Sequence, residues 1–337
     1  MALRVAFVGY QAGHAYSLHS DLDRHPDIEI VAACEEDPEV RAKAGERGIN
    51  ITHTSYAQML AEVPCDAVAC ADWYGIRGAR HIEALKAGKH VTGDKPMCTR
   101  LSEVDEIGAI AHAKHLKVGC QLPVQYHPPF VTAQKLVRDG AIGDVHSVTF
   151  NGAHTLNYPG RPVWMFDADR YGGSINDIAI HGIDALPWLT GRTIAKITVA
   201  REWNARVPEH PTFHDGAVVL FKLDNGGAVY GDVSWLSPDD AAYKTPFYWR
   251  FTIMGSRGTI ETSWNAEKVQ VYKQGAKKVI EEAIVSDTGH DYVVDWLLDI
   301  ANTPALDRLH TDRVLRGART TLLAQHAAAA GLHDVAV

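Results

Sequence analysis

Strand-like and helix-like segments exchange regularly through the first 122 of the 337 residues, and this exchange constrains the fold more than any other feature of the chain. Leu3–Val8 is a β-branched apolar run that stops at Gly9. From His14 to Arg24 the apolar residues Leu18 and Leu22 fall at i,i+4, and the segment ends before Pro26. Ile28–Cys34 and Asp66–Ala71 are two more apolar runs, and His81–Ala87 reads as a helix closed by Gly88. Lys89–Gly93 is the next strand. Ser102 is expected to cap a helix, with Asp105 three residues on and Val104, Ile107 and Ala111 on one face. Lys117–Leu122 completes the series. Strands alternating with helices of this length predict parallel βαβ units and a doubly wound α/β sheet of the Rossmann type.

The remaining chain has a different rhythm. A helix over about Phe130–Arg138 leads through Gly140 and Gly143 to a strand at Val145–Gly152. Five strands are then expected in succession: Ala195–Glu202, Gly216–Leu223, Ala228–Trp235, Tyr248–Met254 and Thr259–Ser263. Asp224-Asn225-Gly226-Gly227 and Ser256-Arg257-Gly258 have the composition of hairpin turns. The reading is therefore two domains, 1–122 and 123–337. The second is an α+β domain with a mostly antiparallel, open sheet, ending in helices at Asp291–Ile300 and about Asp312–Ala330. An antiparallel sheet can leave one face uncovered, so a homodimer or homotetramer through that face is expected.

Composition narrows the class of partner. A formal charge of −8 with scattered Lys and Arg gives no electrostatic footprint for nucleic acid or an anionic membrane. The apolar runs are too short and too broken by charge to span a bilayer. Met1-Ala2-Leu3-Arg4 runs straight into a strand, so no signal peptide is expected. Five cysteines (Cys34, Cys65, Cys70, Cys98 and Cys120) lack metal-ligand spacing and read as reduced, buried thiols in a cytoplasmic protein with no metal site.

Three places carry candidate chemistry. A dinucleotide fingerprint needs G-x-G-x-x-G after the first strand; here Gly9-Tyr10-Gln11-Ala12-Gly13 keeps the first glycine, while Gln11 and His14 hold the other two positions. The loop still lies between a strand and a helix, whose N-terminal amides face a phosphate. At the end of the second strand, the Glu35 carboxylate suits ribose hydroxyls and repels a 2′-phosphate, which favours NAD over NADP. Lys95, in Gly93-Asp94-Lys95-Pro96, stands at the carboxyl edge of the sheet, where such folds bind ligands. In Gly172-Gly173-Ser174-Ile175-Asn176-Asp177-Ile178-Ala179-Ile180-His181, Ser174 and Asp177 are candidate caps of the helix that follows. Asp177 and His181 sit four apart, with Asp184 almost a turn further. A carboxylate beside an imidazole orients it and stabilises its protonated form. By spacing alone, a capping Asp and an unrelated His serve equally well.

Together these residues resemble the Gfo/Idh/MocA family of oxidoreductases, along essentially the whole chain. The resemblance rests on Ala84-Leu85-Lys86-Ala87-Gly88-Lys89-His90-Val91 leading into Asp94-Lys95-Pro96, and on Gly172-Gly173, Asp177, His181 and Asp184. Gly140-Ala141-Ile142-Gly143 and Gly255-Ser256-Arg257-Gly258-Thr259 add to it. It implies that Lys95 contacts nicotinamide ribose and substrate, that the Lys95–Pro96 bond is cis, and that Asp177 and His181 are catalytic. Asp72-Trp73 matches a stretch that usually reads Thr-Pro and lies along the cofactor. Asp94 replaces the usual Glu, and Gln125 stands where many members have Arg. His154, Arg161 and Trp164 match a subgroup's substrate loop, suited to the polar edges and ring face of a sugar or polyol; a partly buried loop packed by Trp164 accounts for them equally.

The expected reaction is reversible hydride transfer between nicotinamide and a secondary hydroxyl of a small sugar-like molecule. His181 and Lys95 divide the roles of base and alkoxide stabiliser, in an order the sequence leaves open. Two alternatives stand beside it: an NAD-assisted glycoside hydrolase or lyase on the same fold, and a ligand sensor without turnover.

Overall fold

Burial explains the first sheet. In a computed structural model, which describes residues 2–285, 289–303 and 308–337, Val5, Ala6 and Phe7 of β1 (Leu3–Val8) are fully buried. A strand covered on both faces reads as a continuous apolar run, as these do. β2 (Ile28–Cys34) and β3 (Ala67–Cys70) pair with it in parallel and β4 (His90–Gly93) pairs in parallel with β3, giving the order β2-β1-β3-β4. The helices are α1 (Gly13–Asp23), α2 (Pro38–Glu46), α3 (Tyr56–Glu62), α4 (Tyr74–Lys86) and α5 (Leu101–Lys114). As the periodicity predicts, α5 buries Val104, Ile107 and Ala111.

Three local readings are corrected. Lys117–Leu122 makes only single parallel bridges, Val91 to Val118 and Asp94 to Gln121. It still takes the ladder bonds of a parallel neighbour of β4, the Gly119 and Gln121 amides donating to the Val91 and Gly93 carbonyls at 2.8 Å each, while the Val118 amide on its other edge donates to Thr311 Oγ1 at 2.9 Å and the Gln121 side chain to Tyr292 Oη at 3.0 Å. Ser102 does not cap α5, which begins at Leu101; Glu103 instead accepts from the Thr99 and Arg100 amides at 3.2 Å each. α2 and α3 lie outside the expected helices; α2 buries only Ala44, so it carries no apolar periodicity. Their caps were nonetheless in the sequence: Asp37 accepts from the Glu39 and Val40 amides, and Ser55 from Gln58.

The chain divides into two units, the first boundary falling between Leu122 and Pro123. The first unit is not continuous: Pro162–Gly172 and Tyr292–Arg319 return to it. These contain α7 (Ala168–Tyr171), α9 (Tyr292–Ile300) and the start of α10 (Thr311–Ala330), α8 being Ile180–Thr190 of the other unit. Asp299 of α9 anchors the return. One carboxylate oxygen accepts from the Thr311 amide and hydroxyl at 2.8 and 2.6 Å, and the other pairs with Lys117 at 3.1 Å.

The second unit is built on a nine-stranded sheet. Its strands are β5 (Val145–Thr155), β6 (Ile194–Trp203), β7 (Gly216–Leu223), β8 (Ala228–Ser237), β9 (Arg250–Gly255), β10 (Gly258–Ser263), β11 (Lys268–Lys273), β12 (Ile280–Ala283) and β13 (His333–Ala336), in the order β12-β11-β10-β9-β5-β8-β7-β6-β13. Only β5 and β8 pair in parallel. Both expected hairpins form, β7–β8 and β9–β10. β11, β12 and β13 lie beyond the strands read from the sequence. α6 (Pro128–Arg138) and α8 cover one face, where Phe130 meets Phe251 edge to face at 5.4 Å. On alternate positions Tyr230, Leu236, Met254 and Tyr272 are exposed, against buried Val229, Trp235, Ile253 and Val271. Among the described residues, no helix is long and apolar enough to cross a membrane.

Removing a buried carboxylate is costly, because the buried Thr311 donors are left unsatisfied and the partly buried Lys117 loses its counter-charge. Asp299→Ala is therefore expected to destabilise the first unit by about 3 kcal/mol in urea denaturation; a change within error of zero would show that the returning segment is not anchored by this carboxylate.

Candidate active site

The Gly9 loop is set by a close crossing. Gly9 adopts φ +86°, and a Cβ there would lie 2.4 Å from the backbone N and Cα of Asp72. Only glycine tolerates both conditions. Ala12 then forms the N-cap of α1 without a side-chain hydrogen bond, Gly13 opens the helix, and its first turn holds no acidic residue. This leaves the end of α1 suited to an anion.

Glu35 has work that its spacing did not reveal. It is buried, and its carboxylate accepts from the Tyr10 amide at 2.7 Å, the Asp37 amide at 2.9 Å and Gln11 Nε2 at 3.2 Å. The side chain that replaces the fingerprint's second glycine is thus bound to the acid at the end of β2. Burial pushes the Glu35 carboxyl upward, against the pull of its amide donors. Tyr10 is also buried, its ring stacked on Phe7 at 4.8 Å.

Asp72 and Trp73 lie at the turn into α4. The Asp72 carboxylate accepts from the Trp73 amide at 2.8 Å and lies 3.7 Å from Arg80. Arg170 covers the Trp73 ring at 5.2 Å. Lys95 is 4% exposed, and its bond to Pro96 is cis. Asp94 is fully buried, with one oxygen 2.8 Å from Arg77 and the other 3.3 Å from His14 Nδ1.

In the second unit, Gly173 has φ +96° and a Cβ there would strike the Gln325 side chain. Gln325 and Glu202 hold the turn that follows. Gln325 Oε1 accepts from the Asn176 amide at 3.1 Å and Glu202 Oε1 from the Ser174 amide at 3.2 Å, while Gln325 Nε2 donates to Glu202 Oε2 at 2.7 Å. Ser174 is no side-chain cap: its hydroxyl donates to the His214 carbonyl. Ile175–Ala179 is one wide i→i+5 turn, a feature often found at functional sites, and α8 continues from it. Asp177 lies inside that turn and is fully buried; His181 and Asp184 are buried on α8. The wide turn, not a regular helix, therefore sets the angle between Asp177 and His181.

The expected substrate loop is divided between the units. His154 and Arg161 belong to the second unit and Trp164 to the first. Trp164 donates from Nε1 to the Gln11 carbonyl at 3.4 Å and meets Tyr74 edge on at 4.8 Å, so it packs on the Gly9 loop. Arg161 donates to the Leu156 and Thr155 carbonyls at 2.8 and 2.7 Å and covers the Trp235 ring at 4.5 Å. His154 is half-buried among Trp235, Tyr248 and Trp249.

Comparison with known proteins gives the family. Residues 3–122 match the model of the oxidoreductase family with an NAD-binding Rossmann fold, and residues 130–261 that of the Gfo/Idh/MocA C-terminal domain. The chain belongs to the Gfo/Idh/MocA family. It is 24% identical to a D-xylose dehydrogenase of Paenarthrobacter nicotinovorans over 212 residues, 60% of this chain and 52% of that one. It is 27% identical to a D-glucoside 3-dehydrogenase of Escherichia coli K12 over 255 residues, 69% and 70% of the two. The chain thus spans about half the length of the first curated relatives it matches. An inositol dehydrogenase homolog of Azotobacter vinelandii, solved with NAD+, has the same fold, with TM-score 0.80 and 19% identity over 100% of this chain and 98% of that one.

Two residues of this family member were not found from the sequence. Trp249 was read as part of a strand, but its backbone is left-handed at φ +47° and β9 starts only at Arg250. A bulky residue there costs about 1–3 kcal/mol. Its buried ring meets His181 edge to face at 5.0 Å and His154 at 5.5 Å, joining two residues that the sequence had named separately. The second is Arg77, whose helical spacing gives no sign that it reaches across to Asp94.

Gly9→Ala is expected to lower stability by about 3 kcal/mol, because it adds both backbone strain and overlap with Asp72. Urea denaturation checks this; an unchanged midpoint would mean that the Asp72 crossing can relax.

Proposed function

We propose that this chain is an NAD-dependent dehydrogenase acting on a secondary hydroxyl of a sugar, polyol or similar small molecule. The observation that carries the reading is the burial of Asp177 in a wide helical turn and of His181 on α8 just after it, His181 braced by Trp249, in a chain whose other unit buries Lys95 just past the end of a parallel strand. The residues present fit a dinucleotide. Gly9 leaves the loop without a side chain at the Asp72 crossing, and the uncapped first turn of α1 offers amides to a pyrophosphate.

Gly9, Tyr10, Gln11, Ala12 and Gly13 would hold the phosphates, with Glu35 toward the adenosine ribose and Asp72, Trp73, Asp94 and Lys95 toward the nicotinamide half. When bound, nicotinamide accepts or returns a hydride. His181 takes the hydroxyl proton from the substrate, and Asp177 holds the imidazole and stabilises its charge. Lys95 stabilises the developing alkoxide. His154 offers a polar edge to the substrate, and Trp164, seated on Gln11, steadies the cofactor loop. Arg161 supports the His154 wall by covering Trp235 and binding the Thr155 and Leu156 carbonyls. The exposed face carrying Tyr230, Met254 and Tyr272 is proposed as a homo-oligomer contact, in a cytoplasmic protein; sedimentation as a monomer at micromolar concentration would remove that contact.

Calorimetry is expected to give tighter binding of NAD than of NADP, with Glu35→Gln narrowing the difference. His181→Ala should lower turnover about 10²–10⁴-fold and leave NAD affinity nearly unchanged, and Asp177→Asn should do less harm. Full activity in His181→Ala would end this mechanism. NAD binding without turnover on any sugar or polyol would favour the sensor reading, to which the engagement of Glu35 by its own loop lends support.

A further inference from the structure

Arg77, in the first turn of α4, is completely buried, and four of its five hydrogen bonds go to one turn of the chain. Nη1 donates to three successive carbonyls, those of Asp94 at 3.0 Å, Lys95 at 2.8 Å and Pro96 at 3.1 Å. Nη2 donates to Asp94 Oδ2 at 2.8 Å, and Nε to the Asp72 carbonyl at 2.6 Å. The Tyr74 ring lies against the guanidinium at 4.4 Å. A buried charge is tolerated when paired and fully hydrogen-bonded, and a planar five-donor fork can serve several acceptors at once.

The network continues past Asp94. Its other carboxylate oxygen lies 3.3 Å from Nδ1 of His14, in the first turn of α1. Burial would raise the Asp94 carboxyl, but Arg77 and then His14 hold it well below the usual carboxylate range. His14 stands where the dinucleotide fingerprint has its last glycine, and Asp94 where a Glu is usual. The two departures meet each other.

We propose that Arg77 is the positioning residue of Lys95, fixing the Asp94-Lys95-Pro96 backbone, and that Asp94 and His14 tie that turn to the start of α1. The inference rests on the reading of Lys95 as the alkoxide-stabilising group. Arg77 touches no reacting atom; it sets where the Lys95 stem begins. Lysine at position 77 keeps the charge but lacks the fork, so it can serve only part of this acceptor set.

The test uses the full chain carrying Arg77→Lys, Arg77→Met or Asp94→Asn, with circular dichroism as the check on folding. The first readout needs no turnover: the rate at which acetic anhydride acetylates Lys95, followed by mass spectrometry, with exposed Lys86 as internal control. Arg77→Lys is expected to speed Lys95 labelling at least about tenfold while Lys86 is unchanged, because the turn opens more often. The second readout is the division between kcat and KM. A displacement of about 1 Å at Lys95 costs about 10²-fold, so kcat should fall by about that factor while the KM for a polyol changes little. Unchanged Lys95 labelling in a folded Arg77→Lys protein would overturn the proposal, as would loss confined to KM. If both Arg77 variants fail to fold, Asp94→Asn should still accelerate labelling, and an unchanged rate there would overturn it equally. A wild-type protein that neither binds NAD nor oxidises polyols would defeat the dehydrogenase reading, while the labelling contrast would still decide the role of Arg77.

Discussion

The passage of Asp72 over Gly9 is the constraint around which the first unit is arranged. Two parallel strands end side by side, and the chain leaving β3 lies 2.4 Å from where a Gly9 side chain would begin. That crossing fixes the loop entering α1 on one side and the turn into α4 on the other. Glu35 then binds the loop from the β2 side, and Arg77 binds the Asp72 carbonyl from α4. The carboxyl ends of β1, β2, β3 and β4 are thereby held to one another by the Gly9 crossing and by two buried side chains, Glu35 and Arg77, that bind backbone groups.

The second unit reaches order at its candidate site by a different route. There Gly173 leaves room for a side chain, that of Gln325, and a wide helical turn held by Gln325 and Glu202 carries Asp177, while a strained tryptophan packs against the His181 imidazole. Local strain persists only where its surroundings over-determine it, and Trp249 is hemmed in by Tyr248, His154 and His181.

Much of this was legible because burial writes periodicity into sequence. β1, β2, α5 and the two hairpins follow from apolar runs and turn residues, and the boundary after Leu122 from the change of rhythm. What was not legible depends on partners distant in the chain. Lys117–Leu122 lies along β4 as its composition implies, but its Val118 amide and its Gln121 and Lys117 side chains go to Thr311, Tyr292 and Asp299, about 170 to 190 residues later. Glu35 was read as facing a ligand, since spacing cannot disclose that Gln11 reaches back to it. The i,i+4 relation of Asp177 and His181 assumed a regular helix; the widened turn between them leaves no periodic trace. Trp249 falls within the expected strand Tyr248–Met254 because strand patterns carry no sign of a left-handed backbone.

The discontinuity of the first unit bears on the order in which the protein is made. When residue 122 leaves the ribosome, all four parallel strands have been synthesised, but nothing yet lies against Gly119, where Trp296 will sit, or pairs with Lys117, which waits for Asp299. Every residue of the second unit's sheet except its last strand emerges in between. The nascent sheet must therefore remain partly uncovered while the rest of the chain is translated, and it gains its last wall only as α9 and α10 appear. For a chaperone, this is an N-terminal segment that is late to mature.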